Sequence, residues 1–282
     1  MTEATLSTEE QTCCPSDSCN NDGSTPHAAE ELREAVRKQY ADIATGRENS
    51  CGSTCGDGEA DVISARLGYS EDELVAVPEG ANLGLGCGNP QAIANLKPGE
   101  TVLDLGSGAG FDCFLAARAV GETGHVIGVD MTHEMLQKAR EKAEEIDAHN
   151  VEFRLGEIEY LPVADNTIDA IISNCVVNLS PNKPRVYREA YRVLKPGGRL
   201  AISDVVAFRP LPENVLNDLK AYTGCIAGAS VITDLQTILK DAGFVDIRIT
   251  PKDESKRVID DWAPGTDVSD YVASTSVEAV KP

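Results

Sequence analysis

Between residues 98 and 205 the sequence alternates short apolar segments with longer amphipathic ones. The apolar segments are TVLDLG, HVIGVD, VEFRLG, DAIISN and RLAISDVV, and the amphipathic ones include FDCFLAARAV, MTHEMLQKAREKAEEI and PRVYREAYRVL. Near-continuous apolar strands that alternate with helices are typical of a parallel sheet covered by helices on both faces. The alternation therefore predicts an α/β fold with a doubly wound, mostly parallel sheet.

The flanking segments divide the chain into four predicted parts. Residues 1–27 are polar, and their composition predicts a flexible, cysteine-containing tail. Residues 28–97 begin with an amphipathic helix and continue with thiol-bearing loops. Residues 98–209 form the α/β domain, and residues 210–282 form a smaller C-terminal region.

The C-terminal region carries two helical patterns and two strand patterns. The helices are predicted over residues 212–223 and 233–241, and the strands over FVDIRI and YVASTSVEAV. We expect these two strands to complete the sheet as a hairpin-like pair.

Charge and cysteine content narrow the possible functions. Lys and Arg number 25 against 46 Asp and Glu, which gives a formal net charge of −21. Such a field repels phosphate backbones and anionic lipid headgroups, so we expect no nucleic-acid or membrane partner. No segment resembles a secretory signal or a membrane span. We therefore expect a cytoplasmic protein whose nine cysteines are mostly thiols.

The first strand is followed by a glycine-rich turn. Its sequence is Asp104-Leu-Gly106-Ser107-Gly108-Ala-Gly110. Glycines there allow a tight turn and a close approach of the backbone to a ligand. A dinucleotide-binding loop follows the pattern GxGxxG, but Phe111 stands where its last glycine belongs, which favours a cofactor without a pyrophosphate.

Further cofactor contacts are expected where the next strands end. Asp130 ends the second strand, where its carboxylate can accept hydrogen bonds from two ribose hydroxyls, and Met131 follows to pack on an adenine. Glu157 and Ile158 follow the third strand and are placed to meet the base edge. Asn174 ends the fourth strand and is also expected to contact the cofactor.

These motifs resemble the class I S-adenosylmethionine-dependent methyltransferases. The resemblance rests on Asp104 to Gly110, Asp130, Gly156 to Ile158 and the VLKPGG turn, and it covers about residues 98–205. It implies a sheet of seven strands with the last one antiparallel. It also implies that S-adenosylmethionine lies over the carboxyl ends of the strands, where Asp104 can accept hydrogen bonds from its amino acid portion.

Four cysteines lie in segments that can reach one cleft. They are Cys51 in SCGSTCG, Cys87 in GLGCGNP, Cys175 at the end of the fourth strand and Cys225 in TGCIAGA. Cys113 instead lies on the apolar face of a helix and is interpreted as a small buried hydrophobe. Soft thiolates select soft ions, and none of the four histidines is placed to serve as a general base. The pattern favours arsenic(III), whose lone pair can attack a methyl group without a base.

Two plainer interpretations of the cysteines remain open. Each cysteine can be a small buried hydrophobe. Alternatively, Cys51 and Cys55 have the loose spacing of a zinc-binding pair, although no second pair follows.

The cysteine segments closely resemble those of the arsenite methyltransferases, from about Tyr40 to the C-terminus. The resemblance implies that Cys175 and Cys225 hold arsenic(III), with Cys87 as third ligand or shuttle. It further implies that Cys51 and Cys87 form a disulfide during turnover. A thiol reductant of the thioredoxin or glutathione type would restore the thiols. The implied substrate is arsenite or its thiol conjugates, and the implied role is detoxification.

The chain departs from this family pattern at its N-terminal side. Gly52 follows Cys51, where the family usually has a second cysteine, so that either Cys51 or Cys55 can be the redox partner, with Cys51 favoured. Cys13, Cys14 and Cys19 have no clear counterpart. Two other functions remain open: a C- or O-methyltransferase acting on a quinone or sterol-like acceptor, and a non-catalytic protein that sequesters metalloid.

Overall fold

The computed structural model describes residues 26–47, 59–252, 259 and 267–282. The helices are α1 (Pro26–Ala44), α2 (Glu59–Arg66), α3 (Glu71–Val75), α4 (Gln91–Ala94), α5 (Phe111–Val120), α6 (His133–Glu145), α7 (Lys183–Val193), α8 (Glu213–Leu216), α9 (Leu219–Thr223) and α10 (Ile232–Asp241). The strands are β1 (Thr101–Leu105), β2 (His125–Asp130), β3 (Val151–Leu155), β4 (Ile168–Asn174), β5 (Leu194–Ala207), β6 (Ser230–Val231), β7 (Val245–Pro251) and β8 (Val272–Val280).

The strands form one mostly parallel sheet, which confirms the predicted fold class. The order is β3-β2-β1-β4-β5-β8-β7. β8 runs antiparallel between β5 and β7, and it pairs with β7 as the sequence predicted. Seven strands therefore follow the expected path, and the two-residue β6 adds an eighth by pairing with the end of β5. The four-part division of the chain stays a prediction.

Both faces of the sheet are buried, which explains the continuous apolar strands. Leu103 and Ile171 belong to a core cluster that also contains residues of α7 and α10. Val102 and Ile172 belong to a second cluster that contains residues of α5 and α6. These four side chains are at most 1% exposed, and each contributes about 1.5–3 kcal/mol by leaving water.

One predicted helix is broken. In place of a single helix over residues 212–223, the chain forms α8 and α9 with a break at Asn217 and Asp218. The Asn217 side-chain amide donates to the carbonyl of Glu213, and the Asp218 carboxylate accepts from the amide of Lys220. Such local bonds from Asn and Asp compete with continuous helix.

Helix α1 packs against α6 and α9. Arg33 reaches from α1 to Glu159, 3.4 Å away, beyond the end of β3. Among the described residues, no helix combines the length and the hydropathy that a membrane span requires.

Candidate functional site

A cleft of about 1120 Å³ opens at the carboxyl ends of the parallel strands. The turns after β1, β2 and β4 line one part of it, which we call the floor, and residues of α1 line another part, which we call the roof. The lining residues used below are Arg33, Tyr40, Asp104, Ser107, Gly108, Asp130, Met131, Ile158, Asn174, Cys175 and Cys225. Carboxyl ends of parallel strands are where open α/β sheets bind their ligands.

The glycine-rich turn after β1 has the left-handed backbone that its sequence predicts. Gly106, Gly108 and Gly110 have φ angles of 72°, 53° and 92°. A Cβ on Gly106 would lie 2.4 Å from the side chain of Val176, so this position has no room for one. A Cβ on Gly108 would meet no atom within 4 Å. The turn thus lies against the segment that follows β4 at Gly106 and leaves open space at Gly108.

Two features of this turn fit a bound polar ligand. The hydroxyl of Ser107 is buried and has no hydrogen-bond partner among the described residues. The amide of Gly108 donates to one oxygen of Asp130, 2.9 Å away, while the other oxygen accepts from the amide of Thr132. Both Asp130 oxygens keep spare acceptor capacity, so that the carboxylate can also accept from a diol.

The carboxylates at the floor of the cleft resist ionisation. Burial and the nearby charge of Asp112 raise the pKa of Asp104 well above its ordinary value. Burial also raises the pKa of Asp112 to about 6, although hydrogen bonds from Tyr69, Asn174 and Gln91 favour its charged form. Asp104 accepts a hydrogen bond from the Cys113 thiol at 3.3 Å, and Cys113 is fully buried as the sequence predicted.

Of the two residues predicted to meet the base edge, Ile158 lines the cleft and Glu157 pairs with arginines of α1. Ile158 lines the cleft and is 8% exposed. Glu157 instead forms ion pairs with Arg33 and Arg37 of α1, both at 3.6 Å. The predicted contact between Glu157 and an adenine stays a prediction, and the structure adds a contact between this residue and the roof of the cleft.

Three of the four predicted thiols meet in one buried cluster. Cys87, Cys175 and Cys225 all belong to it and are 2%, 8% and 3% exposed. The sulfurs of Cys87 and Cys175 and a carboxylate oxygen of Asp204 lie within 4.8 Å of one another. The Cys225 thiol donates to the carbonyl of Cys175 at 2.7 Å. Segments that are remote in sequence therefore converge on Cys175.

The surroundings of Cys87 and Cys175 favour their neutral form. Hydrogen bonds with Cys225 and Cys87, together with burial, raise the pKa of Cys175 well above its ordinary value. Burial raises the pKa of Cys87 as well, against the hydrogen bond from Cys175. Cys87 and Cys175 therefore favour their uncharged thiol forms.

Two of these cysteines have strained backbones. Cys175 and Cys225 have φ angles of 61° and 65°, a left-handed region that residues with a Cβ rarely adopt. Cys175 directly follows β4, and its amide donates to the carbonyl of Ser203 in β5. Strain of this kind is concentrated at functional sites.

Sequence reasoning missed three residues beside the thiols. Asp204 lies near the end of β5, and burial raises its pKa to about 7. Tyr40 of α1 packs against the cysteine cluster, and burial together with the nearby charge of Cys225 raises the pKa of its phenol. Asn178 donates from its amide to the Cys225 carbonyl at 3.3 Å. The position of Asp204 at a strand end was a usable signal, whereas Tyr40 follows an ordinary helical pattern.

The remaining predictions concern five further cysteines and the histidines. Cys51 and Cys55, and the tail cysteines Cys13, Cys14 and Cys19, lie outside the described residues. Among the residues that the structure describes, no histidine lines the cleft.

Comparison with known proteins agrees with this geometry. A family model described as a methyltransferase domain matches residues 96–243. An arsenite methyltransferase from Halobacterium salinarum is 56% identical over 90% of this chain and 67% of its own length. An arsenite methyltransferase from Aquipseudomonas alcaligenes is 40% identical over 77% of this chain and 63% of its own length. The chain thus spans about two thirds of the length of these relatives.

A solved structure is similar over the same region. It is the crystal structure of an arsenic(III) S-adenosylmethionine methyltransferase from Chlamydomonas reinhardtii, with a TM-score of 0.60 and 33% identity. The match covers 81% of this chain and 75% of that one. The fold, the glycine-rich turn and the thiol cluster, together with these similarities, show that the chain belongs to the arsenite methyltransferase family of class I methyltransferases.

Proposed function

We propose that this chain transfers methyl groups from S-adenosylmethionine to trivalent arsenic held by cysteine thiolates. The observation that carries the proposal is the convergence of three buried thiols on Cys175, at a point that opens into the cleft of the glycine-rich turn. A donor in that cleft and an acceptor on those thiols would face each other. Orientation of this kind is most of what a transfer enzyme must supply.

The proposed donor site uses residues of the cleft and of the turn. When bound, S-adenosylmethionine supplies an electrophilic methyl group on a sulfonium sulfur. We infer that Asp130 accepts hydrogen bonds from the ribose and that the open space at Gly108 admits the ligand. The remaining proposed contacts are Asp104, Gly106, Ser107, Gly110, Met131, Glu157 and Ile158. Asn174, which the sequence added to this set, borders the cleft, but its polar contacts are with the protein.

The proposed acceptor site uses Cys175, Cys225 and Cys87. Arsenous acid is neutral, and each thiol that binds it replaces one hydroxide, which leaves as water with the thiol proton. Binding then needs no prior loss of protons, and this agrees with the raised pKa of Cys175 and of Cys87. Arsenic(III) held by sulfur keeps its lone pair, which forms the new bond to carbon as the bond between carbon and the sulfonium sulfur breaks. No general base is required, in keeping with a cleft lined by no histidine among the described residues.

Each transfer raises the formal oxidation state of arsenic by two. Two electrons must therefore return before arsenic can react again. We propose that Cys87 and Cys51 supply them, each losing one proton and one electron as their disulfide forms, with Cys55 as the alternative to Cys51. A dithiol or glutathione-type reductant would then restore both thiols by exchange. The cytoplasmic location and the expected absence of a nucleic-acid partner stay predictions.

The test is release of S-adenosylhomocysteine with and without arsenite, alongside detection of methylated arsenic. We expect arsenite-dependent release that falls to background in Cys175→Ser and Cys225→Ser. Cys113→Ser is the matched control, because Cys113 is equally buried and lies in α5, outside the cluster. Bound arsenic without any release would indicate a sequestering protein instead.

A second contrary result concerns the acceptor. If arsenite has no effect and a quinone or sterol-like compound is methylated, with the cysteine variants tolerated, the proposal is wrong. S-adenosylmethionine affinity, measured by calorimetry, should be similar in all four proteins, since none of the substituted thiols is assigned to the donor.

A further inference from the structure

Asn174, the last residue of β4, makes its polar contacts with the loop that carries Cys87. Its side-chain oxygen accepts from the amide of Cys87 at 2.9 Å, and its side-chain nitrogen donates to the carbonyl of Gly88 at 2.7 Å. The same nitrogen donates to the hydroxyl of Tyr69 at 2.9 Å. One side-chain amide thus bridges two consecutive residues of a segment that is 87 positions away in sequence.

These contacts use both donor hydrogens of the Asn174 amide. A primary amide offers two N–H donors and one oxygen acceptor. Here the nitrogen donates to Gly88 and Tyr69 and makes a longer contact of 3.4 Å with the Asp112 carboxylate, while the oxygen accepts from Cys87. The amide is therefore committed to the protein rather than to a ligand in the cleft that it borders.

The loop is also pressed closely against this side chain. Gly86 has a φ angle of 126°, and a Cβ there would lie 2.7 Å from the nitrogen of Asn174. On the other side, the hydroxyl of Ser274 in β8 donates to the Cys87 carbonyl. The backbone of Cys87 is consequently held from β4 at its amide and from β8 at its carbonyl.

We propose that Asn174 is a positioning residue that fixes Cys87 beside Cys175. Cys87 then acts as a stationary third sulfur ligand rather than as a shuttle. This inference rests on the proposed function for its arsenic, but the hydrogen bonds that hold Cys87 are formed within the protein itself. Residues that orient ligands in this way typically change metal affinity by about 10–100-fold when they are substituted.

The first test needs no arsenic. The rate of alkylation of Cys87 by iodoacetamide is measured by mass spectrometry in the full chain, with the buried Cys113 as internal reference. We expect Asn174→Ala to raise the Cys87 rate, because the loop that carries this thiol loses two hydrogen bonds to β4, with the Cys113 rate unchanged. Tyr69→Phe is the matched control, because it removes the contact of the Asn174 nitrogen with Tyr69, together with the bonds from Tyr69 to Asp112, and leaves both bonds to the Cys87 loop. It should leave the Cys87 rate as it is.

The second test counts sulfur around arsenic by X-ray absorption after addition of arsenite. We expect three sulfurs in the wild type and in Tyr69→Phe, but two in Asn174→Ala, with arsenite binding weakened about 10-fold or more. Affinity for S-adenosylmethionine should be unchanged in all of them. Asn174→Asp has the same shape and serves if Asn174→Ala does not fold. Its carboxylate still accepts from Cys87 but repels the Gly88 carbonyl, so it should behave like Asn174→Ala.

The two tests separate the possible failures. No sulfur around arsenic in the wild type would defeat the proposed function, whatever the alkylation result. Three sulfurs in the wild type and in an Asn174 variant that folds, with the Cys87 alkylation rate unaltered, would overturn the role of Asn174 and leave the function standing. A reduced S-adenosylmethionine affinity with normal thiol behaviour would likewise overturn it, because Asn174 would then serve the donor.

Discussion

The strained backbones at Cys175 and Cys225 predict an unusual order of stability among their variants. Both residues have left-handed φ angles, 61° and 65°. We consider each cysteine replaced separately by alanine and by glycine. Both replacements remove the sulfur and its hydrogen bonds, but only glycine also removes the Cβ that makes this conformation unfavourable.

The size of the effect follows from two opposing contributions. A residue with a Cβ costs roughly 1–2 kcal/mol in the left-handed helical region. Glycine in turn makes the unfolded chain more disordered, which costs about 0.4–1 kcal/mol. The glycine variant should therefore be more stable than the alanine variant by about 1 kcal/mol, or about 2–4 °C in melting temperature.

The assay is thermal and urea unfolding of both pairs, with Cys113 as the control position. Cys113 lies inside helix α5, where alanine should instead be more stable than glycine by about 0.5–1 kcal/mol. The reasoning is supported if glycine is the more stable variant at Cys175 and Cys225 and alanine is the more stable variant at Cys113. Alanine equal to or more stable than glycine at both Cys175 and Cys225 would refute it. None of the Cys175 or Cys225 variants should methylate arsenic, since stability gained there does not restore a thiol.

Three further predictions follow from the site. Burial raises the pKa of Asp204 from 3.8 to about 7, so the native state binds more protons than the unfolded chain between these values. The stability from the neutral carboxyl is lost as pH rises from about 4 to 7, by at most about 4 kcal/mol. The free energy of unfolding, measured by urea titration across this range, should decline less in Asp204→Asn. In Gly228→Ala the new Cβ would lie 2.0 Å from the Asn178 carbonyl. The loop that carries Cys225 should shift, which should lower the free energy of unfolding by about 1–3 kcal/mol and weaken arsenite binding. Calorimetry that shows normal arsenite affinity would contradict this. Arg33→Ala removes the ion pair between α1 and Glu159, whose side chain is 5% exposed. The free energy of urea unfolding should fall by about 1–3 kcal/mol. No measurable loss would mean that this ion pair does not hold α1.

Much of the fold could be predicted because its signals are local. The alternation of apolar and amphipathic segments predicted the parallel strands, and FVDIRI and YVASTSVEAV pair as β7 and β8. The break between α8 and α9 was missed because side-chain bonds from Asn217 and Asp218 compete with helix over a few residues only. The two-residue strand β6 carries no periodicity that a pattern could reveal.

The sequence by itself determined the sheet, the glycine-rich turn and the identity of the thiols, because strand and helix periodicity and glycine backbone freedom are properties of neighbouring residues. Only the tertiary structure decided how those thiols meet. The Cys225 thiol contacts the Cys175 carbonyl across 50 positions, and Asn174 holds Cys87 across 87. Contacts over such separations arise when strands and loops pack together, and no local pattern of side chains specifies the partner. For the same reason Tyr40 and Asp204 gained their place beside the sulfurs only in the folded chain.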